Sequence, residues 1–180
     1  MTMSRPLAAA RLLTFAAAVA LAACAGGPVQ DPWRGVDMPV ADAAQMVASI
    51  RAAAGDGEGE LAVQPLRDPR VEDLRQQAGR LEAAGDYQAS AEALDRALEI
   101  VDADPALLQE RAELAVLLGD FAAADALAQR AYALGAQVGP LCRRHWATLE
   151  QLRLLAADAE GAASAREQVA GCRVAGPERY

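Results

Sequence analysis

The chain has 180 residues, 53% of them hydrophobic but only 4% aromatic, so a single domain with flanking segments must build its core from Ala and Leu. All 17 basic residues are arginine, there is one histidine, and 25 acidic residues leave a net charge of −8. Such an acidic chain with no basic stripe is a poor candidate for nucleic acid, whose phosphates demand clustered positive charge.

The first segment, "MTMSRPLAAARLLTFAAAVALAACAGG", has a short basic start and then an uncharged run from Leu12 to Ala23. Twelve helical residues span about 18 Å, short of the roughly 30 Å hydrocarbon core, so the run reads as a signal peptide and not a membrane span. It ends in Leu21-Ala22-Ala23-Cys24, which resembles the lipobox of bacterial lipoproteins. The resemblance implies that residues 1–23 are a lipoprotein signal peptide and that Cys24 becomes the acylated N-terminus, palmitate being among its chains. Two or more chains anchor a protein stably where one does not. By resemblance to the sorting pattern of that class, Ala25 after the cysteine implies the outer membrane of a Gram-negative bacterium, with the body facing an oxidising periplasm. Ordinary secretion, with Cys24 incidental, is the competing reading. Loss of Arg5 and Arg11 with the signal would bring the net charge to −10.

Residues 24–38 are rich in Gly and Pro and read as a flexible tether. Trp33 within it is open to three fates: resting at the lipid headgroups, packing on the body, or staying mobile. Residues 39–66 hold a short amphipathic helix and a linker. Apolar residues at Ala43, Met46, Val47, Ile50 and Ala54 share one helical face, which predicts a helix over 42–54, and "GDGEGE" at 55–60 ends it. That helix either caps the body or docks on a partner.

The body, residues 67–172, contains a repeat. "AAGDYQASAEALDRALEI" (83–100) and "LLGDFAAADALAQRAYAL" (117–134) lie 34 residues apart, and Leu74, Ala78, Gly85 and Asp86 recur as Leu108, Ala112, Gly119 and Asp120. Period and pattern resemble the tetratricopeptide (TPR) repeat. The resemblance implies an all-α, TPR-like solenoid of antiparallel helix hairpins, about three of them, preceded by the short N-terminal helix. The residues agree on their own terms. Asp68-Pro69 and Asp104-Pro105 each set a capping carboxylate before a proline suited to the first helical turn. Gly85 and Gly119 stand where the chain must reverse, and Tyr87 and Phe121 follow to cover the turn. Ala97 and Ala131 fall where second helices must come close. A third unit starts at Pro140, but Ala157-Asp158-Ala159 replaces Gly-Asp-aromatic, leaving its turn geometry open; Ala162 takes its small position. An unrelated Ala-rich bundle is the alternative fold, and 173–180 is a C-terminal tail.

"LCRRHWATLEQL", from Leu141, holds the lone histidine, a cysteine and a tryptophan. Cys142 and Cys172 are equidistant from Ala157, so an antiparallel hairpin sets them opposite one another, within reach of a disulfide in an oxidising compartment. Two sharper readings compete: a Cys142–His145 nucleophile, and a zinc site on Cys142, His145 and Cys172. No third group orients His145 for the first, and the oxidising compartment opposes the second. No metal and no cofactor is therefore expected. By the TPR resemblance, Trp146 falls at a core packing position early in a first helix.

By the TPR resemblance, first helices line a concave groove that holds partner peptides. Projected here, that groove comprises Glu72, Arg75, Gln109, Glu113, Val116, Arg144, Ala147, Gln151 and Leu154, with Arg75 and Arg144 able to clamp a carboxylate. The expectation is a non-catalytic envelope lipoprotein, anchored to the membrane by lipid, that scaffolds another envelope protein or peptide segment. The alternatives are an enzyme or zinc protein using Cys142, His145 and Cys172, and a self-associating spacer. Homo-oligomerisation stays open.

Overall fold

The computed structural model describes residues 31–55 and 68–173, which form seven α-helices and no strand. The signal segment, Cys24, residues 24–30 of the tether, the linker at 56–67 and the tail from 174 lie outside the described residues. All helices belong to one compact unit, Pro32–Tyr180.

Helix α1 covers Val40–Ala52. It starts two residues earlier than the periodicity predicts, with Pro39 at its N-cap accepting from the N–H groups of Asp42 and Ala43. The chain leaves the helix at Ala53 and turns through Gly55, whose φ is 73°.

Six helices follow as three antiparallel hairpins: α2 (Pro69–Ala83) with α3 (Tyr87–Ile100), α4 (Pro105–Leu117) with α5 (Phe121–Leu134), and α6 (Gly139–Leu155) with α7 (Ala159–Gly171). The pairs stack in chain order through α3 on α4 and α5 on α6. Aspartates set the starts. Asp68 and Asp104 accept N–H groups of the first turn ahead of Pro69 and Pro105, filling donors that helix geometry leaves orphaned. Asp86, Asp120 and Asp158 do the same for α3, α5 and α7.

The three reversals share one geometry. Asp86, Asp120 and Asp158 each send their N–H back to a carbonyl five residues earlier, of Leu81, Ala115 and Arg153, at 2.9 Å in every case. That bond closes a Schellman turn, which needs a left-handed residue just before the aspartate. Gly85 (φ 79°) and Gly119 (φ 75°) supply it, and in the third hairpin Ala157 takes the same conformation at φ 58°. The third unit therefore turns like its siblings without the glycine.

Between hairpins the contacts are made by small residues. Ala91, Ala97, Ala112, Ala124, Ala128 and Ala131 are all buried, so backbones approach closely and Leu94, Leu107 and Leu114 fill the remaining space. Phe121 is buried and Tyr87 half-buried, as residues covering the turns should be. Trp33 packs on the body: its indole N–H donates to the Leu152 carbonyl at 3.2 Å, and the Arg153 guanidinium lies 6.0 Å from its ring centre. Part of the segment expected to be tether is thus fixed.

Candidate functional site

Helices α2, α4 and α6 share one face of the stack, the face expected to be an open groove. The chain fills much of it with its own α1, which lies against α4 and α6. Ala43, Met46, Val47 and Ile50 point inward and join Val116, Leu114 and Leu152 in one apolar cluster. Burial of the three larger side chains contributes roughly 1.5–3 kcal/mol each before ordering costs. The centre of the expected partner surface is therefore covered: Gln109, Glu113 and Val116 have no exposure, and Ala147 is buried. The periodicity of 42–54 marks the helix but carries no information about which face it meets.

The floor between α4 and α6 is polar. Gln109 Nε2 donates to Glu113 Oε1 at 2.9 Å and to Thr148 Oγ1 at 2.8 Å. Its Oε1 is then the acceptor facing His145 Nδ1 at 2.7 Å, which places the imidazole hydrogen on Nδ1. Burial first, and then the Arg144 charge, push the His145 pKa down to about 4, so the ring is neutral. Glu113 accepts from Arg144 Nε at 3.0 Å and from Arg51 Nε at 2.7 Å. One buried carboxylate is thus held by two guanidiniums, one from α6 and one from α1.

Arg51 also forks onto Glu82 of α2, at 2.7 and 3.0 Å. Burial works against its charge, but the hydrogen bonds to Glu82 and Glu113 outweigh that and raise its pKa. From the other side, Arg143 donates to the carbonyls of Ala53 and Ala54. A cation against the last carbonyls of a helix is favoured by the helix dipole as well as by the bonds. Nothing in the sequence singled out Arg143, Arg51 or Glu82. Arg51 in the last turn of an amphipathic helix, beside its apolar stripe, was the one available signal.

The remaining expected groove residues fall to either side of α1. Arg75 pairs with Glu110 at 2.5–2.8 Å and lies 3.8 Å from Glu72. With Glu82, Leu114 and Arg144 these line a cavity of about 460 Å³. Beyond the other edge of α1, Gln151 and Leu154 border a second cavity of about 330 Å³ with Met38 and Met46. Arg75 and Arg144 thus already hold carboxylates of this chain, Glu110 and Glu113, where they were expected to await a partner's.

The cluster in α6 separates into five directions. Cys142 is joined to Cys172 by a disulfide with Cα atoms 5.7 Å apart, and the Gly139 N–H donates to the Cys172 carbonyl at 2.7 Å. In that state neither sulfur is a thiolate available to His145 or to zinc. Among the described residues no group of three or more His, Cys, Asp or Glu side chains is placed to hold a metal. Arg143 caps α1, Arg144 pairs with Glu113, and His145 is locked to Gln109. Trp146 meets Tyr132 edge-on at 4.9 Å on the opposite face, over a cavity of about 400 Å³ between α5, α6 and α7. No helix among the described residues is long and apolar enough to cross a membrane.

No protein-family model and no curated protein matches the chain. Among solved structures, the globular C-terminal domain of LpoP from P. aeruginosa matches at 28% sequence identity with a TM-score of 0.54. The match covers 58% of this chain and 99% of that domain. The chain is therefore similar, in fold and in part of its sequence, to a domain that stands at the C-terminal end of its own protein.

Proposed function

We propose that this chain is a non-catalytic envelope lipoprotein whose TPR-like body positions another envelope protein, or a segment of one, through its groove. The likeness to the LpoP domain carries this reading. The lipobox supports it independently, because acylation of Cys24 would hold the body at the outer membrane, facing the periplasm. The cavity beside α1 suits a protein segment: Glu72 and the paired Arg75, Glu82 and Glu110 set charge of both signs around the apolar Ala78, Leu94 and Leu114.

The test has two parts. Metabolic labelling with a palmitate analogue should mark the wild-type chain and not a Cys24→Ala variant. Photo-crosslinking in intact cells from positions Glu72 and Gln151, on either side of α1, should then recover one reproducible heterologous envelope protein. Recovery of only the chain itself would sink the adaptor reading in favour of a self-associating spacer.

A further inference from the structure

Helix α1 is joined to α2 through the 16 residues between Ala52 and Pro69, yet it docks on α4 and α6. Its position is chosen by the groove and not by its neighbour in sequence. Among the described residues, it is tied by four apolar side chains, by the Arg51 guanidinium, whose side chain is 41% exposed, and by the carbonyls that Arg143 holds.

The polar part of the floor keeps most of its bonds without α1, although Leu114, Val116 and Leu152 would lose their apolar cover. His145 is held by Gln109, Gln109 by Thr148 and Glu113, and Glu113 by Arg144. Every one of these partners lies on α4 or α6. A helix that merely completes a core needs only the apolar residues that α1 also meets, and a buried carboxylate adds a desolvation cost that they do not. Here the carboxylate is neutralised from below by Arg144, and its second oxygen faces α1, where it takes Arg51 at 2.7 Å. Glu82 stands beside it to fork onto the same guanidinium. The groove is built to read an arginine, and when that arginine leaves, Glu113 keeps Gln109 and Arg144 on its other oxygen.

We infer that this groove is the docking site for an amphipathic helix of the partner, and that α1 holds the place until that helix displaces it. The incoming helix carries small or medium apolar residues at i, i+3, i+4 and i+7 and an arginine at i+8. That is the pattern of Ala43, Met46, Val47, Ile50 and Arg51, the one set of side chains already seated there. The inference deepens the adaptor reading, on which it rests for the identity of the protein that supplies the helix.

The experiment needs no knowledge of that protein. A fluorescein-labelled peptide with the sequence of residues 39–55 is titrated into the full chain, with anisotropy as the readout. The wild type is compared with Ile50→Asp, which loosens α1 where it stands. Ile50→Asp should bind the peptide at least tenfold more tightly than the wild type, since the internal competitor is lost. A peptide with glutamine in place of its arginine should bind that variant about tenfold more weakly. Circular dichroism melting establishes that the variant is folded. Should it not fold, Arg51→Gln, which removes the ion pairs of a partly exposed guanidinium, takes its place in the comparison. A folded variant that binds no better than the wild type overturns the inference, as does a peptide that binds equally well without its arginine. So does a wild-type dimer in which α1 helices are exchanged between copies. A crosslinking result with no heterologous partner would sink the adaptor reading and leave the peptide exchange standing.

Discussion

Nδ1 of His145 lies 2.7 Å from Oε1 of Gln109, and solvent reaches neither side chain. The neutral ring donates this hydrogen bond, while protonation would bury a second cation beside Arg144. Hence the histidine titrates near 4 in the folded protein against about 6.5 when unfolded. Between those values the unfolded chain binds the extra proton, so stability present above pH 6.5 is lost as pH falls towards 4. The full loss is on the order of 3 kcal/mol. Urea unfolding at pH 7 and pH 4.5 should show a smaller drop for His145→Gln than for the wild type. Equal drops would remove His145 as the cause.

The Cys142–Cys172 bridge closes a sequence separation of 30 residues. In the chain-entropy model a loop of that size is worth about 3–4 kcal/mol. The double variant Cys142→Ala, Cys172→Ala should therefore unfold at lower denaturant than the oxidised wild type. Reducing the wild type should give a similar loss and expose two alkylatable thiols by mass spectrometry.

Ala157 holds the left-handed conformation that Gly85 and Gly119 take in the other two turns. A Cβ there costs about 1–2 kcal/mol, part of which is offset because glycine loses more freedom on folding. Ala157→Gly should thus stabilise the chain by roughly 0.5–1 kcal/mol. Gly119→Ala should destabilise it by about the same amount. Thermal melts of both variants check the pair of signs.

Glu113 and Arg51 share an ion pair but should not cost the same to remove. Glu113 is wholly buried, and Glu113→Ala strands Arg144 and Gln109 without their acceptor, at a cost of about 3 kcal/mol or more. Arg51→Gln removes a partly exposed group and leaves Glu113 with Arg144, so about 1 kcal/mol is expected. Comparable losses from the two substitutions would mean that α1 is an obligatory part of the core.

The hairpins were legible because their determinants are local. Asp-Pro pairs, the Gly-Asp turns and the spacing of Ala97 and Ala131 act within a few residues of themselves, and the all-α hairpin architecture follows from them. The turn at Ala157 was not legible, since nothing in an alanine signals a positive φ; only its neighbours impose it. The groove was half legible. Gln109, Glu113 and Arg144 fall on the projected face, but a projection of three helices cannot say that a fourth, α1, will lie on it. Arg143 and Arg51 escaped notice because their partners, the Ala54 carbonyl and Glu82, are 89 and 31 residues away.

Trp33 shortens the leash. With its indole fixed to the end of α6, only the nine steps from Cys24 to Trp33 remain to separate a lipid from the body. Even fully extended, they reach about 30 Å. If Cys24 carries the acyl chains, the hairpin stack cannot roam the periplasm. A partner anchored in the same membrane would meet it at high local concentration. One anchored in the opposite membrane would have to cover nearly all the intervening distance itself, and its docking helix would belong at the far end of a long projecting segment.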